Sequence, residues 1–339
     1  MTNIRYYPLM RSKAGELEAL KLLAPDIKSS IAPIIQILPP AVGRKKDPIV
    51  KLIKDLSDKL KEFPIVYIDP KDIWKDQALC QLIFLELKKN GINVRPTIQT
   101  LAPKDLLDFL KEENFLDDNV CLRITSDYAT SDVINRFYGL LFNHYNLTKE
   151  QTLLLIDFEY IAVSLIHLIN SFLTLYQGIE NIQDISRILV GAGSFPQDLS
   201  KFKDGDIGAI ERTDLALFNR IKSTANIPDL AFADYCNLHP IYDNSTEKFE
   251  GTCSVKYTTD NAFIVFRGKQ ASKHPQGNQQ YVQKCKELMK ESYYKGPAFS
   301  YGDKCISDCA SVAIGPGNAQ KWVTYTVNHH ITLMAQFPY

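Results

Sequence analysis

The chain has 339 residues, of which 45% are hydrophobic and 23% charged, a globular composition that excludes intrinsic disorder, collagen and coiled coil. Its 39 basic side chains are balanced by 39 acidic ones, so no global positive field is available to grip long nucleic acid nonspecifically. No run approaches the roughly 18 apolar residues of a membrane span and no signal peptide is recognised, so we expect a cytoplasmic protein without membrane contact.

Short β-branched runs alternate with longer amphipathic segments, the pattern of repeated βα units around a parallel sheet. The predicted strands are Ile4–Pro8, Ala32–Leu38, Pro64–Asp69, Val94–Gln99, Val120–Thr125, Thr152–Asp157, Arg187–Val190 and Leu230–Tyr235. The predicted helices are Lys13–Leu23, Pro48–Lys61, Trp74–Asn90, Pro103–Lys111, Ser131–Asn143, Tyr160–Tyr176 and Asp214–Ser223. This alternation predicts an α/β fold, a (β/α)8 TIM-like barrel over residues 1–240, more closely than an open doubly wound sheet.

The last hundred residues break this rhythm. The pattern predicts an antiparallel hairpin, a polar helix, a stretch rich in glycine and proline, and a final strand. These elements are Thr252–Thr258 with Ala262–Arg267, Gln279–Glu291, 296–318 and Trp322–Ala335. We therefore expect residues 241–339 to form a C-terminal extension that packs on the barrel.

Charged side chains occupy strand positions that a purely structural core would fill with Val, Ile or Leu. Because successive side chains point to opposite faces, we expect these charges to converge in the barrel lumen or at its C-terminal mouth. Burying an unpaired ion costs several kcal/mol, so either the charges form a buried ion-pair network or the mouth binds a polar ligand. The predicted ligand-binding residues are Asp69, Arg95, Arg123, Asp234, Lys256 and Arg267.

Two chemistries suit this set of groups. Asp157, Glu159 and Asp234 could hold Mg²⁺ or Mn²⁺, which prefer carboxylate oxygens, and the arginines could grip a phosphate in bidentate fashion. His330 is a candidate for proton transfer at pH 7, although a hydrogen-bonded structural histidine is an equal alternative. The candidate catalytic residues are thus Asp157, Glu159 and His330. If the site binds a ligand, Asp157→Ala and Arg123→Ala should melt near the native temperature; a structural network predicts a loss of about 3–5 kcal/mol.

Two weaker motifs are open to simpler interpretations. Gly191-Ala192-Gly193-Ser194 follows the seventh predicted strand and could let backbone approach a phosphate, or could be an ordinary turn. The seven cysteines are scattered and odd in number, which indicates a reducing compartment. Cys285, Cys305 and Cys309 lack a Cys-x-x-Cys pair, so the pattern does not favour a zinc site.

A set of short motifs extends along essentially the whole chain. They are Arg5-Tyr6-Tyr7-Pro8-Leu9, Lys13-x-Gly15-Glu16, Ile34-Ile35, Val190-Gly191-Ala192-Gly193-Ser194-Phe195-Pro196, Glu211-Arg212-Thr213-Asp214, Phe232-Ala233-Asp234-Tyr235, Gly315-Pro316-Gly317-Asn318, Trp322 and Asn328-His329-His330-Ile331. Together they resemble the beta protein family of phages, satellite phages and bacterial mobile elements. One departure is Gln36, where a glutamate is expected in relatives, which loses a carboxylate at a strand end.

The resemblance implies a genetic context more than a chemistry. Members resemble accessory proteins encoded beside killer or defence genes, where they restrain a toxic neighbour or take part in anti-phage immunity. It implies a partner protein from the same cassette and transfers no catalytic residue. Two hypotheses follow: a regulatory protein that binds a phosphate-bearing ligand or a partner segment at the barrel mouth, or a divalent-metal-dependent phosphodiesterase or nuclease acting on a nucleotide or nucleic-acid end.

Overall fold

The computed structural model describes residues 4–40, 47–125, 129–225, 227, 229–242 and 251–339. Eight parallel strands close into a barrel, each paired with its neighbours in chain order and the last paired with the first. They are β1 (Tyr6–Arg11), β2 (Ile34–Gln36), β3 (Val66–Asp69), β4 (Val94–Gln99), β5 (Val120–Thr125), β6 (Thr152–Tyr160), β7 (Arg187–Gly193) and β9 (Ala231–Asp234), with β8 (Ile207–Glu211) in a second sheet. The predicted (β/α)8 barrel is confirmed.

Helices follow the barrel strands and cover them from outside. They are α1 (Ala14–Lys21), α2 (Pro25–Ser30), α3 (Pro48–Leu60), α4 (Gln77–Lys89), α5 (Lys104–Glu112), α6 (Ser131–Tyr145), α7 (Leu165–Gly178) and α8 (Thr213–Ala225). Their ends follow local chemistry: the Asp47 carboxylate accepts from the Ile49 and Val50 amides at the start of α3, and Asn146 ends α6 with a left-handed φ of 55°.

The second sheet has three antiparallel strands in the order β10 (Val255–Thr258), β11 (Ala262–Phe266) and β8. The predicted hairpin is confirmed, but its partner β8 comes from the segment between β7 and α8 and was not predicted. The sheet therefore joins the loops that follow the seventh and eighth barrel strands, and it lies over the C-terminal mouth. Its other face packs against α9 (Gln280–Leu288) and α10 (Tyr301–Ala310), the latter inside the stretch predicted as turns.

The predicted final strand over Trp322–Ala335 is wrong: this segment is helix α11 (Ala319–Ala335). Its alternating β-branched residues suggest a strand, but the helix is buried on nearly every side and so shows no amphipathic period. The hydroxyls of Thr326 and Thr332 donate to the carbonyls four residues earlier, which accommodates threonine inside a buried helix.

Helix α11 packs against α1, α2 and β1, and Tyr339 just beyond it contacts Phe218 of α8 and Phe232 of β9. It thus takes the position of the eighth helix of the barrel. A Cβ added at Gly302 of α10 would lie 2.0 Å from the Tyr325 carbonyl oxygen, so α10 in turn lies very close to α11. The division into residues 1–240 and 241–339 stays a prediction, and α11 packs on the first part.

Two further findings bear on the environment of the protein. Among the helices of the described ranges, none is long and apolar enough to cross a membrane. All seven cysteines are buried thiols, and none takes part in a disulfide.

Candidate functional site

Arg123 lies inside the barrel lumen and is held by two carboxylates and a phenol. Its guanidinium donates to Asp69 at 2.6 Å and to Asp157 at 2.7 Å, and it lies 2.8 Å from the Tyr235 hydroxyl. The Tyr235 hydroxyl also donates to Asp157 at 2.5 Å. The structure therefore brings three of the predicted residues together, as strand parity suggested.

The remaining carboxylate oxygens of this lumen cluster (Asp69, Arg123, Asp157 and Tyr235) also accept hydrogen bonds from nearby backbone or amide groups. The Lys71 amide donates to the second oxygen of Asp69 at 3.0 Å, and the Glu159 amide donates to the second oxygen of Asp157 at 2.9 Å. Gln99 donates at 3.0 Å to the same Asp69 oxygen as Arg123. Burial would lower the pKa of the Arg123 guanidinium, but Tyr235, Asp157 and Asp69 raise it well above its ordinary value. The cluster is thus internally satisfied, as in a structural network.

Asp234 does not join the lumen cluster. In the barrel register, Asp157 pairs with Gly191, and Gly191 pairs with Ala233. Asp234 is one residue further along and pairs with Ala192 and Pro8. Neighbouring positions of a strand point to opposite faces, so Asp234 lies on the outer face of the barrel wall. The expectation that it converges with Asp157 is therefore wrong by one residue of parity.

On the outer face, Asp234 belongs to a second buried set, the wall cluster, defined by Tyr6, Arg212, Asp214, Asp234 and His330. Arg212 reaches Asp214 at 2.7 Å and Asp234 at 3.0 Å, while the Tyr6 hydroxyl donates to Asp234 at 2.8 Å. His330 of α11 places Nε2 2.9 Å from Asp234 and Nδ1 3.0 Å from the Thr258 hydroxyl. The wall cluster ties α11 and the second sheet to the barrel.

The electrostatics of the wall cluster follow from burial and pairing. Burial lowers the pKa of His330 below its ordinary value, although Asp234 opposes the shift. Burial would raise the pKa of Asp234, but His330 and Arg212 together hold it below its ordinary value. At neutral pH this favours a neutral His330 whose Nε2 donates to the Asp234 carboxylate, an arrangement that needs no substrate.

At the wall cluster, three potential metal ligands lie close together. Within the described ranges, Asp234, Cys236 and His330 form a group whose ligand atoms lie within 4.8 Å of one another. The Arg212 guanidinium donates a hydrogen bond to the Asp234 carboxylate at 3.0 Å. Its positive charge would repel a metal cation bound there. The predicted set Asp157, Glu159 and Asp234 does not form a common site, because Asp157 and Asp234 lie on opposite faces of the wall.

Arg95 lies apart from the mouth, whereas Glu159 is near the C-terminal end of β6. Arg95 is on the lumen face but four residues before Gln99, about 13 Å toward the N-terminal end of the barrel. Its buried Nε has no hydrogen-bond partner among the described residues. Glu159 is half-buried and adopts a left-handed φ of 52° where the pairing of β6 with β7 shifts register.

A cavity of about 820 Å³ opens between the C-terminal mouth and the second sheet. Its walls come from the end of β1, the loop after β7, the segment after β9, the hairpin and the start of α11. It contains two predicted binding residues, Lys256 and Arg267, together with Arg11. The Gly191–Ser194 motif does not line it: a Cβ at Gly191 would lie 2.9 Å from Leu155, and Ser194 donates to Asp214.

The three cations of this mouth cavity contact neutral groups. Lys256 donates to the Asn237 carbonyl at 3.1 Å and lies 4.1 Å from the centre of the Phe195 ring, and Arg267 donates to Thr252 at 2.7 Å. Arg11 donates to the carbonyls of His239 and Pro240. Within the described part of the chain, none of the three has a carboxylate within 4.0 Å. Burial lowers the pKa of Lys256 to about 8, with Glu16 opposing the shift.

Five residues of these sites were missed by sequence reasoning, namely Tyr6, Arg11, Arg212, Asp214 and Tyr235. Arg11 lies beyond the predicted end of the first strand at Pro8, although its parity with Tyr7 and Leu9 was a usable signal. Arg212 belongs to the motif Glu211-Arg212-Thr213-Asp214, which contributes to the family resemblance but for which the sequence predicts no site role. Tyr235 was taken as the end of an apolar strand, because a tyrosine hydroxyl gives no sequence indication of its partner.

Comparison with known proteins supplies further evidence. A family model described as Beta protein matches residues 6–336. The chain is also similar to a curated protein described as Protein beta, from Enterobacteria phage P4. The two are 22% identical over 351 aligned residues, which cover 97% of this chain and 92% of the relative.

Proposed function

Because the chain belongs to the Beta protein family, which includes a phage-associated relative, we propose that it is an accessory or regulatory protein of a phage-defence or toxin-restraining cassette. In this proposal it acts in the cytoplasm by binding a phosphate-bearing ligand in the mouth cavity. The alternative occupant of the barrel mouth is a segment of a partner protein encoded in the same cassette.

The observation that carries the ligand proposal is the mouth cavity with its three cations. The loops after the seventh and eighth strands of such barrels frequently bind phosphate, and here those loops form two of the walls. Cations that form no direct ion pair suit a doubly charged anion, because the ligand adds countercharge to that of the buried Glu16 nearby. Lys256 belongs to β10, Arg267 directly follows β11, and Arg11 is the last residue of β1.

The metal-dependent phosphodiesterase hypothesis is less well supported. It needs carboxylates that can coordinate a divalent cation, whereas Asp157 and Asp234 are each hydrogen-bonded to an arginine. The catalytic assignment of Asp157, Glu159 and His330 therefore has no geometric support in a shared site.

Isothermal titration calorimetry with inorganic phosphate and ribose 5-phosphate tests the binding step. We expect Lys256→Gln and Arg267→Gln each to weaken ribose 5-phosphate binding about 10-fold, because each removes one charge-assisted contact. The matched control is Lys61→Gln, an exposed lysine outside the cavity, which should bind like the native chain. Equal affinity in all four proteins, or no binding at all, would contradict the proposal.

The regulatory step is tested in cells. The chain is co-expressed with the product of an adjacent toxic or defence gene, and survivors are counted. We expect the native chain and Lys61→Gln to protect the cells, and a Lys256→Gln, Arg267→Gln double variant to lose protection at equal protein level. Full protection by the double variant would show that the mouth cavity is not required for protection of the cells.

A further inference from the structure

The size of the mouth cavity places a requirement on its ligand. A volume of about 820 Å³ is typical of a pocket for a complete small molecule, and a single phosphate group would fill a small part of it. Lys256 and Arg267 stand on one wall, the second sheet. The organic part of the ligand must therefore contact the remaining walls.

The wall formed by the segment after β9 presents aromatic rings to the cavity. His239 and Tyr242 line it and are both half-buried, so part of each ring remains exposed. The His239 ring packs against the Tyr160 ring at an interplanar angle of 43°, with the ring centroids 4.8 Å apart, and this contact restricts the orientation of His239. Beside them Ile241 is 60% exposed, although it is a large apolar side chain.

Cations hold this aromatic wall next to the phosphate-binding side. The Lys13 ammonium lies 3.6 Å from the centre of the Tyr242 ring, and the Arg11 guanidinium lies 5.6 Å from it. Arg11 also donates to the carbonyls of His239 and Pro240, so it connects the aromatic segment to β1. One arginine thus contributes positive charge to the cavity and positions the rings.

We propose that the ligand is a nucleoside phosphate, with its base packed on His239 and Tyr242 and its phosphate between Lys256 and Arg267. This inference rests on the proposed phosphate-binding function and specifies its ligand class. Planar bases stack on aromatic side chains with little dependence on sequence, so a nucleoside phosphate can contact the aromatic wall and the cations at the same time. The exposed amide of Gln197, also in the cavity wall, has donors and acceptors that suit a base edge.

The test compares ribose 5-phosphate with the four common ribonucleoside 5′-monophosphates by calorimetry at pH 7. We expect at least one nucleotide to bind about 10-fold tighter than ribose 5-phosphate, the gain that one stacked base gives. Tyr242→Ala should remove most of that gain, so that in this variant the nucleotide binds no more than about twofold tighter than ribose 5-phosphate. Tyr242→Phe keeps the ring and should retain the gain.

The outcomes separate this inference from the function on which it rests. If ribose 5-phosphate binds as tightly as every nucleotide, the base assignment is overturned while phosphate binding stands. If a nucleotide gain survives Tyr242→Ala unchanged, the base lies elsewhere and the inference is also overturned. If none of the compounds binds, both fail. Thermal melting of each variant checks that the fold is intact. We expect a native-like melting temperature, because the Tyr242 side chain is half-exposed.

Discussion

The buried ion pairs of the lumen cluster make a quantitative prediction. Asp157 is fully buried and receives Arg123 and Tyr235, so its removal leaves the guanidinium with an unpaired charge inside the barrel. We expect Asp157→Ala to lower the free energy of unfolding by about 3–5 kcal/mol, measured by urea denaturation. The control is Asp58→Ala, an exposed carboxylate on α3 whose loss should change stability by less than about 0.5 kcal/mol.

A ligand site in the lumen would predict the opposite result, a melting temperature of Asp157→Ala close to that of the native chain. Near-native melting of Asp157→Ala together with loss of protection in cells would show that the lumen, and not only the mouth cavity, serves the ligand. Strand parity was sufficient to place Asp69, Arg123 and Asp157 on one face, because β3, β5 and β6 were predicted with correct parity. It could not show whether their countercharge comes from the chain or from a ligand, since that depends on distances between strands.

A second prediction follows from the lysine of the mouth cavity. Burial lowers the pKa of Lys256 to about 8, so the ammonium loses its proton between pH 7 and 9. Ribose 5-phosphate is a dianion over this range and needs the charged form, so its affinity should fall about 10-fold from pH 7 to pH 9. Calorimetry at several pH values measures this, with Arg267 charged throughout.

The matched variant is Lys256→Gln, for which the affinity should be weaker at pH 7 and nearly constant up to pH 9. A native profile that stays flat would contradict the role of Lys256. The free energy of unfolding has the opposite pH dependence. In the unfolded chain Lys256 keeps its proton up to a pKa of about 10.4. The unfolded state therefore binds more protons between pH 8 and 10.4, and the contribution of Lys256 to stability rises with pH over that window.

At the scale of elements, the contact between α10 and α11 depends on a glycine. A Cβ at residue 302 would lie 2.0 Å from the Tyr325 carbonyl oxygen, and this is backbone that cannot move away alone. We expect Gly302→Ala to lower the free energy of unfolding by about 1–3 kcal/mol, measured by thermal or urea unfolding. Gly139→Ala on α6, where nothing lies within 4 Å, should instead stabilise the protein by about 0.5–1 kcal/mol. Equal melting of the two variants would contradict the close contact.

The same elements show where sequence patterns succeed and fail. The barrel strands were predictable because each is a short apolar run between turn signals. Helix α11 was not, because burial on nearly all sides leaves no polar stripe to reveal a helical period. Strand β8 was not, because Ile207–Glu211 acquires its role only by pairing with β11, which is distant in the chain.

At the scale of the whole molecule, the barrel needs the C-terminal residues. We expect a fragment of residues 1–240 not to unfold cooperatively, because it lacks the eighth helix, the partner of β8 and the histidine of the wall cluster. Circular dichroism melting and size-exclusion chromatography of the fragment, beside the full chain, measure this. A compact monomeric fragment with a sharp transition would show that the predicted boundary at residue 240 marks an independent domain.

The position of α11 also has a consequence for synthesis. The ribosome makes β1 long before the helix that covers it, with the second sheet and α10 in between. While α11 is still inside the exit tunnel, the outer faces of β1 and β9 remain open, and the nascent barrel exposes apolar surface of the kind that chaperones bind. The packing of α11 on the barrel is thus a long-range step of folding. A pause in translation before residue 319 would prolong the exposure of this aggregation-prone apolar surface.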